Sequence, residues 1–119
     1  MKPMDETSPV ERQLAAEAAP AVLINLLTLD GADKARFPEA WTGDARFMRR
    51  QPGIIPTQLH RAIGESPTCL NHALWESTGT FRAAFTHPEF TARLSAYPST
   101  AVASLHLFQQ VAANGICAG

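Results

Sequence analysis

The chain has 119 residues, of which 45% are hydrophobic, and a formal net charge of -1. These values are typical of one globular domain with a modest core. Lys and Arg number 10 against 11 Asp and Glu, with no run of either sign, so the composition carries no electrostatic signature of binding to nucleic acid or an anionic membrane. The expected partner is a small molecule or a second copy of the chain.

The sequence shows no membrane span, secretory signal or paired cysteines, and this predicts both the cellular location and the state of the thiols. The apolar stretch over residues 18–29 is interrupted by Pro20 and Asn25 and is too short to span a membrane. Residues 1–12 are polar, unlike a secretory signal, which predicts a cytoplasmic protein. Cys69 and Cys117 form no CxxC pair or metal-spaced cluster, so we expect free thiols and no metal.

The N-terminal third predicts a weak helix and a strong strand. Residues 1–19 are expected to form a tail or a short helix over 10–18, with Ser8 as its N-cap. Residues 21–28 are a continuous apolar run bounded by Pro20 and Asp30-Gly31. This pattern is typical of a strand covered on both faces.

A helix and a hairpin are predicted next. Apolar residues at three- and four-residue spacing over residues 33–51 indicate an amphipathic helix that ends at Pro52-Gly53. Its regular part should begin near Pro38, because proline is tolerated only in the first turn. Residues 54–62 and 68–77 then read as an antiparallel hairpin.

The C-terminal third completes a familiar order of elements. A helix over residues 78–85 should stop before His87-Pro88, and a second helix should cover residues 88–96. Residues 102–112 are the last predicted strand, followed by a tail at 114–119. The order predicts an α+β, ferredoxin-like split βαβ domain over residues 20–113, with a four-stranded antiparallel sheet.

The first strand also predicts an oligomer. Val22, Ile24 and Leu26 lie on one face, while Leu23 and Leu27 lie on the other. If both helices cover one face, a monomer exposes the other apolar row to water. We therefore expect a homodimer in which the open sheet faces pack across a two-fold axis as a dimeric α+β barrel.

Strand alternation places Asn71, Ala73 and Trp75 on one face. A buried indole N–H and a buried carboxamide both need hydrogen-bond partners. Either the core supplies them or a ligand oxygen does. Asn25 lies among leucines in the middle of a strand, where asparagine is depleted, and is either a structural polar group or a pocket residue.

The remaining chemistry-bearing residues give weaker signals. His72 should face the subunit interface, and for each of the other histidines a structural or surface role is the expected one. The chain has no GxSxG, GxGxxG or Walker loop, which argues against flavin or nucleotide binding by such loops. Six aromatic residues form the core and could also wall an apolar pocket: Phe37, Trp41, Phe47, Phe81, Phe85 and Phe90.

Four short segments, in this order and spacing, resemble a known family over roughly residues 21–111. They are Gln51-Pro52-Gly53-Ile54, Asn71-x-x-x-Trp75-Glu76-Ser77, Phe81, and His87-Pro88-Glu89-Phe90. The chain resembles the antibiotic biosynthesis monooxygenases, which are dimeric ferredoxin-like barrels. It looks nearest to the cofactor-independent anthrone oxygenases of aromatic polyketide pathways.

The resemblance implies a site and a reaction. Asn71 and Trp75 match an asparagine and a tryptophan implicated in catalysis, whereas Phe81 stands where those enzymes have a tyrosine and so offers no hydroxyl. The implied activity is monooxygenation of an electron-rich polycyclic or quinol-type aromatic substrate by O2, without a cofactor. The expected substrate-binding residues are Asn25, Phe37, Trp41, Phe81 and Phe85.

Two other functions compete with this one. The first is a non-catalytic dimer that binds a small ligand or has a structural role, since fold does not imply function; the missing hydroxyl at Phe81 favours it. The second is the heme-degrading branch of the same fold, to which Asn25 could correspond. Its tryptophan and heme-binding histidine would fall at Ala84 and about Leu94, which argues against heme.

Overall fold

Four strands form one antiparallel sheet in the order β2-β3-β1-β4. The computed structural model describes residues 2–29, 37–94 and 101–117. The elements in chain order are α1 Val10–Gln13, β1 Ala21–Thr28, α2 Phe37–Arg49, β2 Ile54–Arg61, β3 Thr68–Trp75, α3 Thr78–Phe85, α4 Pro88–Leu94 and β4 Val102–Phe108. The predicted ferredoxin-like α+β fold is confirmed, and within those ranges no helix has the length and apolar character to cross a membrane.

The predicted bounds of helices and strands agree best with the structure where proline, glycine or a capping residue marks the end of an element. β1 and α3 have the predicted bounds, and the regular part of α2 begins at Phe37; the start of the predicted helix, residues 33–36, lies outside the described residues. β4 ends at Phe108, so the prediction that it extends to residue 112 is wrong. The reason is that Phe108 pairs with Val22, the second residue of β1, so β1 ends before it could pair with residues 110–112.

The helix near the N-terminus is shorter than predicted and has a different cap. α1 covers four residues, and its N-cap is Pro9 without a side-chain hydrogen bond. The prediction that Ser8 caps this helix is therefore wrong. Ser8 lies one residue too early, and its N–H donates to the Asp5 carbonyl within a local turn.

The segment over residues 2–13 lies along the outer edge of β4. The Lys2 N–H donates to the Ala103 carbonyl at 2.8 Å. The Gln13 side chain accepts from the Leu107 N–H at 2.8 Å and donates to the Leu107 carbonyl at 2.9 Å. We call this double contact the Gln13 clamp, and it satisfies backbone groups that an edge strand otherwise leaves free.

Odd-numbered side chains of β1 and β3 face the helices and form two apolar clusters on this inner face. The first cluster contains Val10, Ala21, Leu23, Ala73, Trp75, Phe81, Ala84 and Leu105. The second contains Leu27, Leu29 and Cys69, with Trp41 and Leu59 packed against it. The buried residues of this face therefore form two clusters, and the partly buried Ala103 packs against both.

The even-numbered side chains point to the opposite, outer face. Val22, Ile24 and Leu26 lie there and Leu23 and Leu27 on the inner face, as strand alternation predicted. His72 also lies on the outer face, as predicted, opposite Ile24. Phe108 at the edge of this face is 44% exposed, so the outer face combines apolar side chains with exposure.

Candidate functional site

The strand register brings two asparagines to directly opposite positions on the inner face. Asn25 on β1 pairs with Asn71 on β3, and each has an apolar neighbour on its other side. The row across the sheet reads Leu59, Asn71, Asn25 and Leu105. In directly opposite pairs the Cβ atoms lie about 4.5–5.5 Å apart, so the two carboxamides are close neighbours.

This asparagine pair separates the two apolar clusters. Leu23 and Ala73 lie on one side of it in the first cluster, and Leu27 and Cys69 lie on the other side in the second. Along β1 and β3, an apolar pair at this place would make the two clusters continuous, whereas among the described residues only Ala103 of β4 packs against both. Burying polar groups there instead is unfavourable unless they find hydrogen-bond partners, which indicates a role beyond packing.

The hydrogen bonding of the pair is incomplete. Asn71 Oδ1 accepts a hydrogen bond from the Thr57 hydroxyl at 2.9 Å. Asn25 Oδ1 is buried and has no hydrogen-bond partner in the part of the chain that the structure describes. Buried polar atoms are nearly always bonded in native proteins, and an exception calls for an explanation such as a bound ligand.

Trp75 supplies a second unpartnered group on the same face. Its side chain is 0% exposed, and Nε1 is buried with no hydrogen-bond partner among the described residues. Trp75 and Asn71 are four residues apart on β3, so their Cα atoms lie about 13 Å from each other. The indole N–H and the asparagine pair are therefore two polar positions on one face that lie well apart along β3.

Aromatic rings hold Trp75 in place. Phe81 meets it edge to face, with centroids 5.6 Å apart and planes at 66°, a favoured aromatic geometry. Phe85 and Phe90 continue this chain of rings at 5.5 and 5.4 Å. Phe81 therefore contributes ring packing to this site, and its ring carries no hydroxyl.

The junction between β3 and α3 fixes the end of the strand that carries Trp75. Ser77 and Thr80 form a capping box at the start of α3, and the Glu76 N–H donates to the Gly53 carbonyl at 2.7 Å. Gly53 has a φ of 87°, and a Cβ there would lie 2.4 Å from the Thr80 Cβ. Only glycine suits this contact, which explains the Pro52-Gly53 sequence.

The other predicted pocket residues divide between the two clusters. Trp41 is half-buried against the second cluster, while Phe81 belongs to the first and Phe85 packs against it. The asparagine pair lies between these groups. The Phe37 side chain lies outside what the structure describes.

All four histidines lie away from the asparagine pair. His60, His72 and His106 point to the outer face, as the strand register requires. His87 precedes α4, where its Nδ1 accepts from the Glu89 N–H at 3.0 Å. These positions agree with the structural or surface roles that the sequence favoured. His106 Nε2 lies 3.2 Å from Gln13 Nε2, and its buried Nδ1 has no partner among the described residues, on the face opposite the asparagine pair.

Thr57 is the site residue that the sequence did not reveal. The register between β2 and β3 shifts between Ile54 and Thr57, so alternation counted from the start of β2 gives the wrong face for the residues that follow. A count backward from the hairpin turn at residues 64–67 would have placed Thr57 on the inner face. The pairing of Asn25 with Asn71 needed the cross-strand register, which one strand's sequence does not contain.

Within the described ranges, no three His, Cys, Asp or Glu side chains lie close enough to hold a metal ion. Cys69 is a buried free thiol and Cys117 is an exposed one. Asn25 Oδ1 lies between the two apolar clusters and Trp75 Nε1 lies within the first, and both are buried and unpartnered among the described residues. Amide and indole N–H groups can stabilise negative charge on a ligand oxygen.

Several solved structures share the fold of this chain. SnoaB from Streptomyces nogalater, a cofactor-independent oxygenase, is 26% identical with a TM-score of 0.74, and the match covers 82% of this chain and 99% of that one. A candidate monooxygenase from Shewanella loihica PV-4 is 27% identical, with 80% and 97% covered and a TM-score of 0.68. The chain has the fold of the antibiotic biosynthesis monooxygenases.

The resemblance to the antibiotic biosynthesis monooxygenases that the sequence motifs predicted is therefore confirmed. A candidate member from Caulobacter crescentus CB15, at 18% identity and a TM-score of 0.66 with 79% and 92% covered, shares the fold. Neither a family model nor a curated protein sequence matches the chain. SnoaB and the Shewanella protein, at 26% and 27% identity, support assignment to the monooxygenases as a general class.

Proposed function

We propose that this chain is a cofactor-independent monooxygenase that oxidises an electron-rich polycyclic or quinol-type aromatic substrate with O2. The observation that carries the proposal is the asparagine pair between two apolar clusters, with Asn25 Oδ1 and Trp75 Nε1 both buried and unpartnered. The likeness to SnoaB at 26% identity supports it. We further propose that the protein acts in the cytoplasm, where Cys69 and Cys117 stay reduced.

The proposed chemistry starts from a substrate that ionises to a carbanion or phenolate and passes an electron to O2. For an anthrone, the reacting carbon loses two hydrogen atoms and gains one oxygen atom as a carbonyl, while the other oxygen atom leaves as water. Asn71 Nδ2 and Trp75 Nε1 donate to oxygens on which negative charge develops. Asn25 Oδ1 accepts from a hydroxyl group of the substrate.

Phe81 gives the proposal a specific consequence. Because its ring carries no hydroxyl, it cannot accept or deliver the substrate proton, so ionisation relies on the acidity of the substrate itself or on another group. Substrates with an acidic methylene or phenol should react fastest. This requirement favours anthrones and hydroquinones over unactivated aromatic compounds.

The outer face supports a homodimer as the working unit. Ile24 and Leu26 are half-buried there and Phe108 is 44% exposed, a surface that a second copy would cover across a two-fold axis. Sedimentation velocity should show a dimer at low micromolar concentration. A stable folded monomer there would remove this part of the proposal.

Oxygen uptake tests the reaction. Purified protein, treated with chelator and free of visible absorbance, should consume O2 and form the quinone when mixed with an anthrone. Trp75→Phe keeps the ring packing but deletes the N–H donor, and Asn71→Ala deletes the amide; loss of one preorganised donor typically lowers turnover on the order of 100-fold. His72→Ala, on the outer face, is the control for turnover, with dimer content checked alongside.

A non-catalytic ligand-binding dimer is the second candidate, favoured by the missing hydroxyl at Phe81. It predicts quenching of tryptophan fluorescence by hydroxyanthraquinones without any O2 uptake. Equal activity of wild type and both site variants, at matched circular dichroism, would instead show that Asn71 and Trp75 only stabilise the fold. A heme absorbance band would overturn the cofactor-free proposal.

A further inference from the structure

We infer that Thr57 is a positioning residue that fixes which end of the Asn71 carboxamide faces the ligand. The inference rests on the proposed function, because it concerns the same site. Thr57 lies on β2 opposite Ala73, and its hydroxyl lies 2.9 Å from Asn71 Oδ1 in a part-buried setting. No motif or pattern in the sequence pointed to it.

A carboxamide needs such a partner because its two ends have nearly the same shape and opposite roles. Rotation by half a turn exchanges the accepting oxygen for the donating NH2 group. Leu59 on the neighbouring strand is apolar and cannot distinguish the two orientations. The Thr57 hydroxyl can donate to the oxygen or accept from the amide. In the structure it donates to Oδ1, which anchors that end and leaves the Nδ2 protons for a ligand, and the opposite neighbour of Asn71 then selects this orientation over the flipped one.

The neighbour on the other side favours the same orientation. Asn25 Oδ1 is a buried acceptor without a partner, and Asn25 lies directly opposite Asn71. Turning Asn71 around would place a second free oxygen beside it, and two like partial charges in an apolar setting repel. With Thr57 in place, the pair offers one acceptor on Asn25 and one donor group on Asn71.

A ligand at this site must therefore offer a hydrogen-bond acceptor to Asn71 and a donor to Asn25. Asn71 as a donor stabilises a carbonyl or a developing oxyanion, whereas Asn71 as an acceptor does not. Thr57 therefore contributes to turnover without touching the substrate. Its loss should lower kcat more than it raises KM, since the affected interaction strengthens as charge develops.

Thr57→Val tests the inference, because valine keeps the shape and deletes the hydroxyl. We expect kcat for an anthrone to fall about 3- to 10-fold, the range set by one net hydrogen bond, with little change in KM. Thr57→Ser should restore the wild-type value. Thr68→Val is the matched control, because Thr68 pairs with Thr28 and points to the outer face.

A nuclear magnetic resonance measurement tests the positioning independently of activity. The Asn71 side-chain amide, assigned by its disappearance in Asn71→Asp, should give one pair of proton–nitrogen signals in wild type and Thr57→Ser. In Thr57→Val that pair should shift or split. Unchanged signals together with unchanged kcat would overturn the inference.

The two proposals fail in different ways. If wild type consumes no O2 but Thr57→Val still moves the Asn71 signals, the oxygenase proposal fails and the positioning role stands. If Asn71→Ala loses activity while Thr57→Val matches wild type in both readouts, the positioning role fails and the oxygenase proposal stands.

Discussion

Replacing Asn25 by leucine should make the protein more stable and less active. Asn25 Oδ1 is buried without a partner, and leaving such a group unsatisfied costs about 1–3 kcal/mol. Leucine removes that cost and links Leu23 to Leu27 along β1, joining the two apolar clusters. Because the Asn25 side chain as a whole is only half-buried, we expect a net gain near the lower limit, about 1 kcal/mol.

The neighbouring position provides the contrast. Asn71→Leu deletes the acceptor of the Thr57 hydroxyl and leaves that hydroxyl without its partner, so its free energy of unfolding should stay level or fall. Urea unfolding followed by circular dichroism, at one fixed protein concentration, measures both variants. The oxygen-uptake assay should show reduced turnover for each.

The refuting result is a clear loss of stability in Asn25→Leu. It would mean that the Asn25 carboxamide is satisfied within the fold, or that leucine overpacks the space between the clusters. A ligand-independent gain in stability combined with wild-type turnover would also contradict the reasoning, because it would assign Asn25 no role at the site.

Two further predictions concern the fold around the site and the N-terminal segment. Gly53→Ala should lower the free energy of unfolding, measured in urea, by about 2 kcal/mol or more, because the new Cβ clashes with Thr80 and the φ of 87° is unfavourable for alanine. Gly64→Ala is the control with a smaller expected loss, since Gly64 has a φ of 78° but no atom within 4 Å of the new Cβ. Hydrogen bonds from the Thr7 side chain and backbone lower the pKa of Asp5 below its usual 3.8, so its small contribution to stability is present above that value and is lost as pH falls through the lowered pKa. A carboxyl titration by nuclear magnetic resonance should show this, and a Thr7→Val variant with an unchanged Asp5 pKa would contradict the assigned cause.

Residues that end helices and strands made parts of the fold predictable. Pro20 and Asp30-Gly31 bounded β1, and His87-Pro88 marked the end of α3, so both elements have their predicted bounds. The prediction that β3 extends to Ser77 is wrong, because β3 ends at Trp75 and Ser77 caps α3. Alternation along β1 and β3 placed Asn71 and Trp75 on one face and His72 on the other. These properties depend on neighbours in the chain, and the sequence displays them directly.

Properties that depend on a second strand were not predictable. The register shift in β2 hid Thr57, and the opposition of Asn25 and Asn71 exists only in the pairing of β1 with β3. The end of β4 at Phe108 is likewise set by where β1 begins. Apolar residues recur at Val111 and Ala112 after Gln109 and Gln110, but β1 begins at Ala21, one residue before the partner of Phe108.

The Gln13 clamp also protects the protein against aggregation through the edge of its sheet. Because the Gln13 side chain binds both backbone groups of Leu107 and the Lys2 N–H binds the Ala103 carbonyl, β4 has fewer free groups with which to pair a strand from another molecule. The opposite edge, β2, is irregular and contains Pro56, which lacks an N–H for such pairing. Removing residues 2–13 should therefore expose the edge of β4 to pairing with other molecules and cause fibrous or amorphous aggregation. The segment that prevents this lies entirely outside the predicted domain.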